Sequence, residues 1–302
     1  MGKNRRFKAY YFFFCLAIGL FFYLKNSPSP AYFHTEKIVK LVSGGIPCVR
    51  VYLNDAPIDL EFDSGFEGDL SLDEEILAPL QKTFLKEKTF FGVRGKSYQE
   101  KVYSGPSIKI AGIQFDQIEV KEGSKEFNQD SVVFDGSKKK VKEERPGRIG
   151  WTLFSKLNLF IDIPNSQIGM CDSIQTLQSR GYFKNGFIKT PLLQDKPYIG
   201  IQVVSSSGPL NCCIDTGATL CVLNSSIEPQ DFCLEFLQLE KNNIGPFIFF
   251  QFPIGMPKAP DAFLGMNFLA KHTVFVNFKE QAVYISLEED SPNLLKFFGA
   301  PL

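Results

Sequence analysis

Two stretches of this chain alternate apolar and polar residues in the same way. Over residues 49–53 the apolar positions are Val49, Val51 and Leu53, a turn-rich Asn54-Asp55-Ala56-Pro57 follows, and apolar residues return over 58–62. Residues 199–204 repeat the arrangement, with a Ser205-Ser206-Ser207-Gly208-Pro209 turn and a return over 210–214. A period of two interrupted by such turn residues predicts two β-hairpins. Each hairpin runs into an aspartate, Asp63 or Asp215, and Pro57 and Pro209 stand at the same offset from them.

A second pair of segments matches without a gap. Gly150-Trp151-Thr152-Leu153-Phe154-Ser155-Lys156-Leu157-Asn158-Leu159-Phe160-Ile161-Asp162 aligns with Gly265-Met266-Asn267-Phe268-Leu269-Ala270-Lys271-His272-Thr273-Val274-Phe275-Val276-Asn277, with glycine, lysine and phenylalanine coinciding. Each copy predicts a short helical turn and then an alternating strand, followed by a polar turn and a last apolar stretch. Hairpin, aspartate turn and glycine-led segment occur twice in the same order, so the body reads as an all-β fold built from a duplicated unit.

The aspartates carry the candidate chemistry. Phe62-Asp63-Ser64-Gly65 and Ile214-Asp215-Thr216-Gly217-Ala218-Thr219 each place a carboxylate, a small hydroxyl residue and a glycine after an apolar strand. Asp and Gly are depleted in strands, so stability alone does not account for the pair. If the two turns meet across a pseudo-two-fold axis, like charges about 3 Å apart cannot both ionise, and the carboxylates share one proton. One then serves as base and the other as acid, which suffices to activate a water against a peptide carbonyl without a metal or a covalent intermediate.

On these motifs the chain resembles the pepsin and retropepsin superfamily of aspartic peptidases over about residues 46–287. The resemblance implies a two-lobed acid-protease fold, with lobes at 46–175 and 181–287, and Asp63 and Asp215 as catalytic residues. It implies that the Ser64 and Thr216 hydroxyls lock the two turns together and that Gly65 and Gly217 leave room for substrate and water. Arg148-Ile149-Gly150 and Phe263-Leu264-Gly265 are similar to the supports beneath the catalytic turns, which assigns Gly150 and Gly265 to that role. The first has one apolar residue before its glycine where the second has two. The family needs no cofactor or metal, acts on extended polypeptide and, with two lobes in one chain, works as a monomer.

Two residues depart from the pepsin pattern. Phe66 and Ala218 follow the two glycines, and neither offers the hydroxyl that pepsins place beside the dyad. Losing a hydrogen bond to the charged form raises a carboxylate pKa, so a pH optimum less acidic than pepsin's is expected. The bulk of Phe66 also raises the alternative of a catalytically silent peptide-binding or scaffold protein that keeps the fold.

The stretch from Asp63 to Gly150 is much longer than that from Asp215 to Gly265. Part of the surplus, residues 89–98, predicts a flap hairpin with its tip at Gly92, Val93, Arg94, Gly95, Lys96 and Ser97. Another part, residues 127–148, holds the run Ser137-Lys138-Lys139-Lys140-Val141-Lys142-Glu143-Glu144-Arg145 and reads as a solvated surface loop, contact with a partner or acidic lipid being the alternative.

The N-terminus changes the picture of where this body sits. Lys3, Arg5, Arg6 and Lys8 precede an uncharged apolar run over residues 9–24, about 24 Å long as a helix and extendable by snorkelling of Lys8 and Lys25. The basic flank places it in the cytoplasm and the body on the far side. Residues 1–30 therefore read as cytoplasmic tip, signal-anchor helix and a stiff Asn26-Ser27-Pro28-Ser29-Pro30 spacer; secretion after signal-peptide cleavage at the poor Ser29-Pro30-Ala31 site is the alternative. Residues 32–42 are too short for a typical pro-segment, and the 288–302 tail turns from acidic to apolar.

Composition removes other classes. Net charge is zero, which gives nucleic-acid binding no support. Gly44-Gly45 is too small for a phosphate loop, and no Gly-x-Ser-x-Gly elbow occurs. With only His34 and His272, a His-rich metal site is excluded, and His272 reads as structural. Cys15 lies in the apolar run; of the six body cysteines, four stand between 212 and 233. They read as small buried hydrophobes or as one or two disulfides, which an exported compartment permits.

Overall fold

The computed structural model describes residues 32–42, 46–123, 146–225 and 232–287. The predicted anchor and spacer, most of the charged loop and the C-terminal tail lie outside the described residues. Among those described, no helix is long and apolar enough to cross a membrane. The described residues from Phe33 onward form one compact unit, mostly β-strand with a few helical turns.

Both predicted hairpins form, with tighter turns than the sequence suggested. Ile46–Leu53 pairs with Ala56–Asp63, and only Asn54 and Asp55 turn, at φ 48° and 64°. Two left-handed residues make the turn whose twist matches the flanking strands, so Pro57 falls inside the strand opposite Tyr52. Gly200–Ser205 likewise pairs with Gly208–Ile214 around Ser206 and Ser207.

Each hairpin then receives a parallel neighbour from far along the chain. The Gly147–Gly150 strand sets Ile149 opposite Phe62 and Gly150 opposite Asp63. Ala262–Leu264 sets Leu264 opposite Ile214. Strands paired in this way are covered on both faces, and Phe62, Ile149, Ile214 and Leu264 are all fully buried. In the C-terminal half these strands, with Cys221–Asn224, Phe232–Leu239 and Asn242–Phe252, close a barrel. The N-terminal half instead continues outward through Leu70–Asp73 and Glu119–Gly123 to the Thr83–Phe91 and Ser97–Ser104 hairpin.

The glycine-led repeats join the halves. After a short turn of helix in each, Leu159–Asp162 and Val274–Asn277 pair antiparallel with each other, Phe160 opposite Phe275. Gln167–Cys171 and Ala282–Ser286 flank them, and Phe187–Pro191 closes one edge. Phe160, Phe275, Tyr284, Leu177 and Phe183 form the core beneath this sheet.

The other edge corrects the start of the body. The lobe boundary expected at residue 46 comes too late, because Phe33–Val42 is a strand. Its first part pairs with Gln167–Cys171 and its second with Ile46–Leu53, with a register shift between Ile38 and Lys40. Each half is too short to display a period of its own, and Glu36, Lys37 and Lys40 interrupt the apolar pattern. Among the described residues no disulfide joins Cys48, Cys171, Cys212, Cys213, Cys221 or Cys233, and all but Cys233 are buried. His272 is buried, with its ring nitrogens 2.8 and 3.0 Å from the Ser286 and Ile244 carbonyls, so it ties the joining sheet to the barrel.

Candidate active site

The two aspartate turns meet. Ser64 N–H donates to Thr216 Oγ1 and Thr216 N–H donates to Ser64 Oγ, both at 2.9 Å. The hydroxyls then donate onward across the boundary, Ser64 to the Ile214 carbonyl at 2.9 Å and Thr216 to the Phe62 carbonyl at 2.6 Å. Both side chains are fully buried. Sequence order explains none of this contact; the parallel strands beneath each turn aim the turns at one another.

The glycines permit the approach. A Cβ on Gly65 would lie 2.6 Å from the Asp215 carboxylate, and one on Gly217 would lie 2.6 Å from Asp63 Oδ1. Each carboxylate thus sits over the other turn's glycine. A Cβ on Gly150 would strike the Phe66 carbonyl at 2.5 Å and one on Gly265 the Ala218 carbonyl at 2.6 Å, so only glycine lets the turns rest on these supports.

The Asp63 and Asp215 carboxyl groups face one another closely enough for each to feel the other's charge, each resting against the other turn's glycine. Gly65 N–H donates to Asp63 Oδ1 at 3.0 Å and Gly217 N–H to Asp215 Oδ1 at 2.7 Å. Burial, then the Asp63 charge, holds the Asp215 carboxyl protonated well above the usual carboxylate range, against the pull of the Gly217 and Gly65 amides. Beneath the pair, burial and both aspartates push the Cys213 thiol far up, so it stays neutral.

Several residues at the site were missed in the sequence. Arg148 Nη1 contacts Asp63 Oδ2 at 3.1 Å, an ion pair whose side chains are only 13% and 14% exposed. The signal was an arginine at a buried support position where the second copy carries Phe263. The Phe66 ring packs against Gly150 and Gly68, with the Arg148 guanidinium 5.6 Å and Lys121 Nζ 4.3 Å from its centroid. Lys121 Nζ also lies 3.4 Å from the Phe90 ring centroid and donates to the Glu67 carbonyl. Burial pushes the Lys121 amine down to about 7, with Glu100 opposing, and burial pushes the Glu100 carboxyl up against Lys121 and Arg148.

The predicted flap is the Thr83–Phe91 and Ser97–Ser104 hairpin, turned by Gly92 to Lys96. Its tip reaches the C-terminal half: Gly255 N–H donates to the Val93 carbonyl at 2.9 Å. Arg94 lies 5.4 Å from the Phe252 ring centroid, and Val93 packs on the Tyr198, Phe252 and Ile254 cluster. Gly95 and Gly255 pass so closely that a Cβ on Gly95 would lie 2.6 Å from the Gly255 carbonyl. Among the described residues no group of three or more His, Cys, Asp and Glu stands together as a metal site.

The sites named from the sequence thus divide cleanly. Asp63, Ser64, Gly65, Asp215, Thr216 and Gly217 form one constellation, Gly150 and Gly265 lie directly beneath it, and the Gly92 to Ser97 tip docks on the opposite half. No family model matches the chain, and no curated protein matches it.

Proposed function

We propose that the chain is an aspartic endopeptidase with a pepsin- or retropepsin-like two-lobed fold. The observation that carries this reading is the reciprocal Ser64–Thr216 network that sets each carboxyl group against the other turn's glycine, one of the two kept protonated by its surroundings. In this reading Asp63 takes a proton from a water held between the carboxyls, and that water attacks the scissile carbonyl. Protonated Asp215 donates to the carbonyl oxygen as charge develops there. The flap closes over an extended peptide, excludes bulk water and orients it. The basic and apolar run before residue 25 serves as a membrane anchor, with the peptidase body on the far side of the bilayer.

The test is cleavage of an unfolded protein by the purified full chain, blocked by pepstatin and lost in Asp215→Asn. An Asn variant that cleaves as fast as the parent would end the dyad assignment. The Arg148–Asp63 ion pair favours one second reading, a peptide-binding protein whose dyad charge is neutralised. Pepstatin or peptide binding by a parent that cleaves nothing would support that reading.

A further inference from the structure

The two carboxyl groups are alike at one oxygen and unlike at the other. At Oδ1 each aspartate accepts the N–H of its own turn's glycine. At Oδ2 Asp63 receives Arg148 Nη1 at 3.1 Å. The matching position in the second support segment, two residues before its glycine as Arg148 is before Gly150, is Phe263, which has no proton to give. The side chains of the residues after the turn glycines, Phe66 and Ala218, supply no donor either.

Resting on the peptidase reading, we propose that Arg148 is a positioning residue that holds the single negative charge of the dyad on Asp63, making Asp63 the base and Asp215 the proton donor. A pair of hydrogen-bonded carboxyls with one proton has two arrangements of nearly equal energy when its surroundings are symmetric. A guanidinium on one side removes that degeneracy, and its effect is strong because the ion pair is almost wholly covered by protein and poorly screened.

Other charged groups face this ion pair. Glu100, on the Ser97–Ser104 strand, faces Arg148 but interacts first with Lys121 of the Glu119–Gly123 strand. Lys121 is in turn faced by Lys88, Glu67 and Glu119. Glu61 stands opposite Arg148 in the parallel register of the Ala56–Asp63 strand. On the barrel side the dyad meets Cys213, a neutral thiol. Arg148 is thus the cation in hydrogen-bond contact with the dyad among the described residues.

The experiment compares Arg148→Met and Arg148→Lys with the parent by two readouts. Carboxyl 13C NMR of aspartate-labelled protein follows the dyad as a coupled pair, and kcat and KM are measured across pH. In Arg148→Met the acid-side step of the dyad moves up by about one to three pH units, and kcat/KM on the acidic limb falls about tenfold for each unit, chiefly through kcat. Arg148→Lys restores most of both, since it returns the charge without the fork. An NMR titration unmoved in Arg148→Met, or a kcat/KM that rises because the arginine had been blocking the site, would overturn the proposal. Moved carboxyl signals in a protein that cleaves nothing would uphold the charge assignment and sink the peptidase reading, whereas cleavage with unmoved signals would sink the assignment alone.

Discussion

Thr216→Val tests whether the two aspartate turns are held together as described. Valine keeps the shape of threonine but removes a hydroxyl that accepts from Ser64 N–H at 2.9 Å and donates to the Phe62 carbonyl at 2.6 Å. Both orphaned groups stay in a site where Ser64 and Thr216 are fully buried, so water does not replace the lost partner. Each unsatisfied buried group costs about 1–3 kcal/mol, for a total of about 2–6 kcal/mol. In a body of this size about 1 kcal/mol moves the melting temperature by roughly 2–4 °C, so a fall of about 4 to 24 °C is expected in a thermal melt followed by circular dichroism. Ser64→Ala orphans the mirror pair, Thr216 N–H and the Ile214 carbonyl, and should cost a similar amount. Thr89→Val supplies the control: its hydroxyl accepts from Gln99 Nε2 on the exposed flap, and its loss should stay within about 0.5 kcal/mol. A Thr216→Val melt within about 2 °C of the parent would refute the reciprocal network as the clasp between the turns.

Other consequences can be measured separately. Gly217→Ala drives a methyl into Asp63 Oδ1, 2.6 Å away, and should lower kcat by about a hundredfold through a displaced dyad; unchanged kcat would show that the carboxylate does not rest there. Gly95→Ala, at φ +80° and 2.6 Å from the Gly255 carbonyl, should undo the flap contact and speed amide exchange at Gly255, and unaltered exchange would contradict the latch. Lys121 is held at about 7 in the folded chain against 10.5 otherwise, so between those values the unfolded state binds more protons and stability rises with pH, by up to about 1.4 kcal/mol per unit. The burial penalty is full below about 7, so Lys121→Met should gain most over the parent there and lose that advantage towards about pH 10, as urea unfolding at the two ends would reveal. Because Asp215 keeps its proton well above the ordinary range, the basic limb of the pH–activity profile should extend well past that of a carboxylate with an ordinary pKa; a profile confined to strong acid would contradict the assigned acid.

The features that were legible are local ones. A period of two around Asn54-Asp55 makes a hairpin wherever it occurs, since turn chemistry and strand pairing act within a dozen residues. The glycine-led repeat was visible because its two copies meet the same constraint, a turn carbonyl pressed on the glycine, and so keep glycine at 150 and 265. The flap tip could be placed because apolar strand residues around a glycine-bounded turn are again a local signal. Its landing site could not, because Gly255 is far along the chain and nothing near it in sequence records a neighbour's carbonyl. The strand Phe33–Val42 shows no period of its own because it changes partner midway.

By itself, then, the order of residues determined the duplicated all-β pattern, the two aspartate turns and the glycines that each turn needs, because short-range sterics and hydrogen bonding dictate them. Tertiary structure alone decided that each carboxyl group rests against the other turn's glycine, that Arg148 contacts Asp63, and that Lys121 is buried beside Phe66. Those contacts depend on parallel pairing between strands far apart in the chain, and on the desolvation that follows when both their faces are covered. Neither the partner nor the loss of water is written in the neighbourhood of the residue it affects.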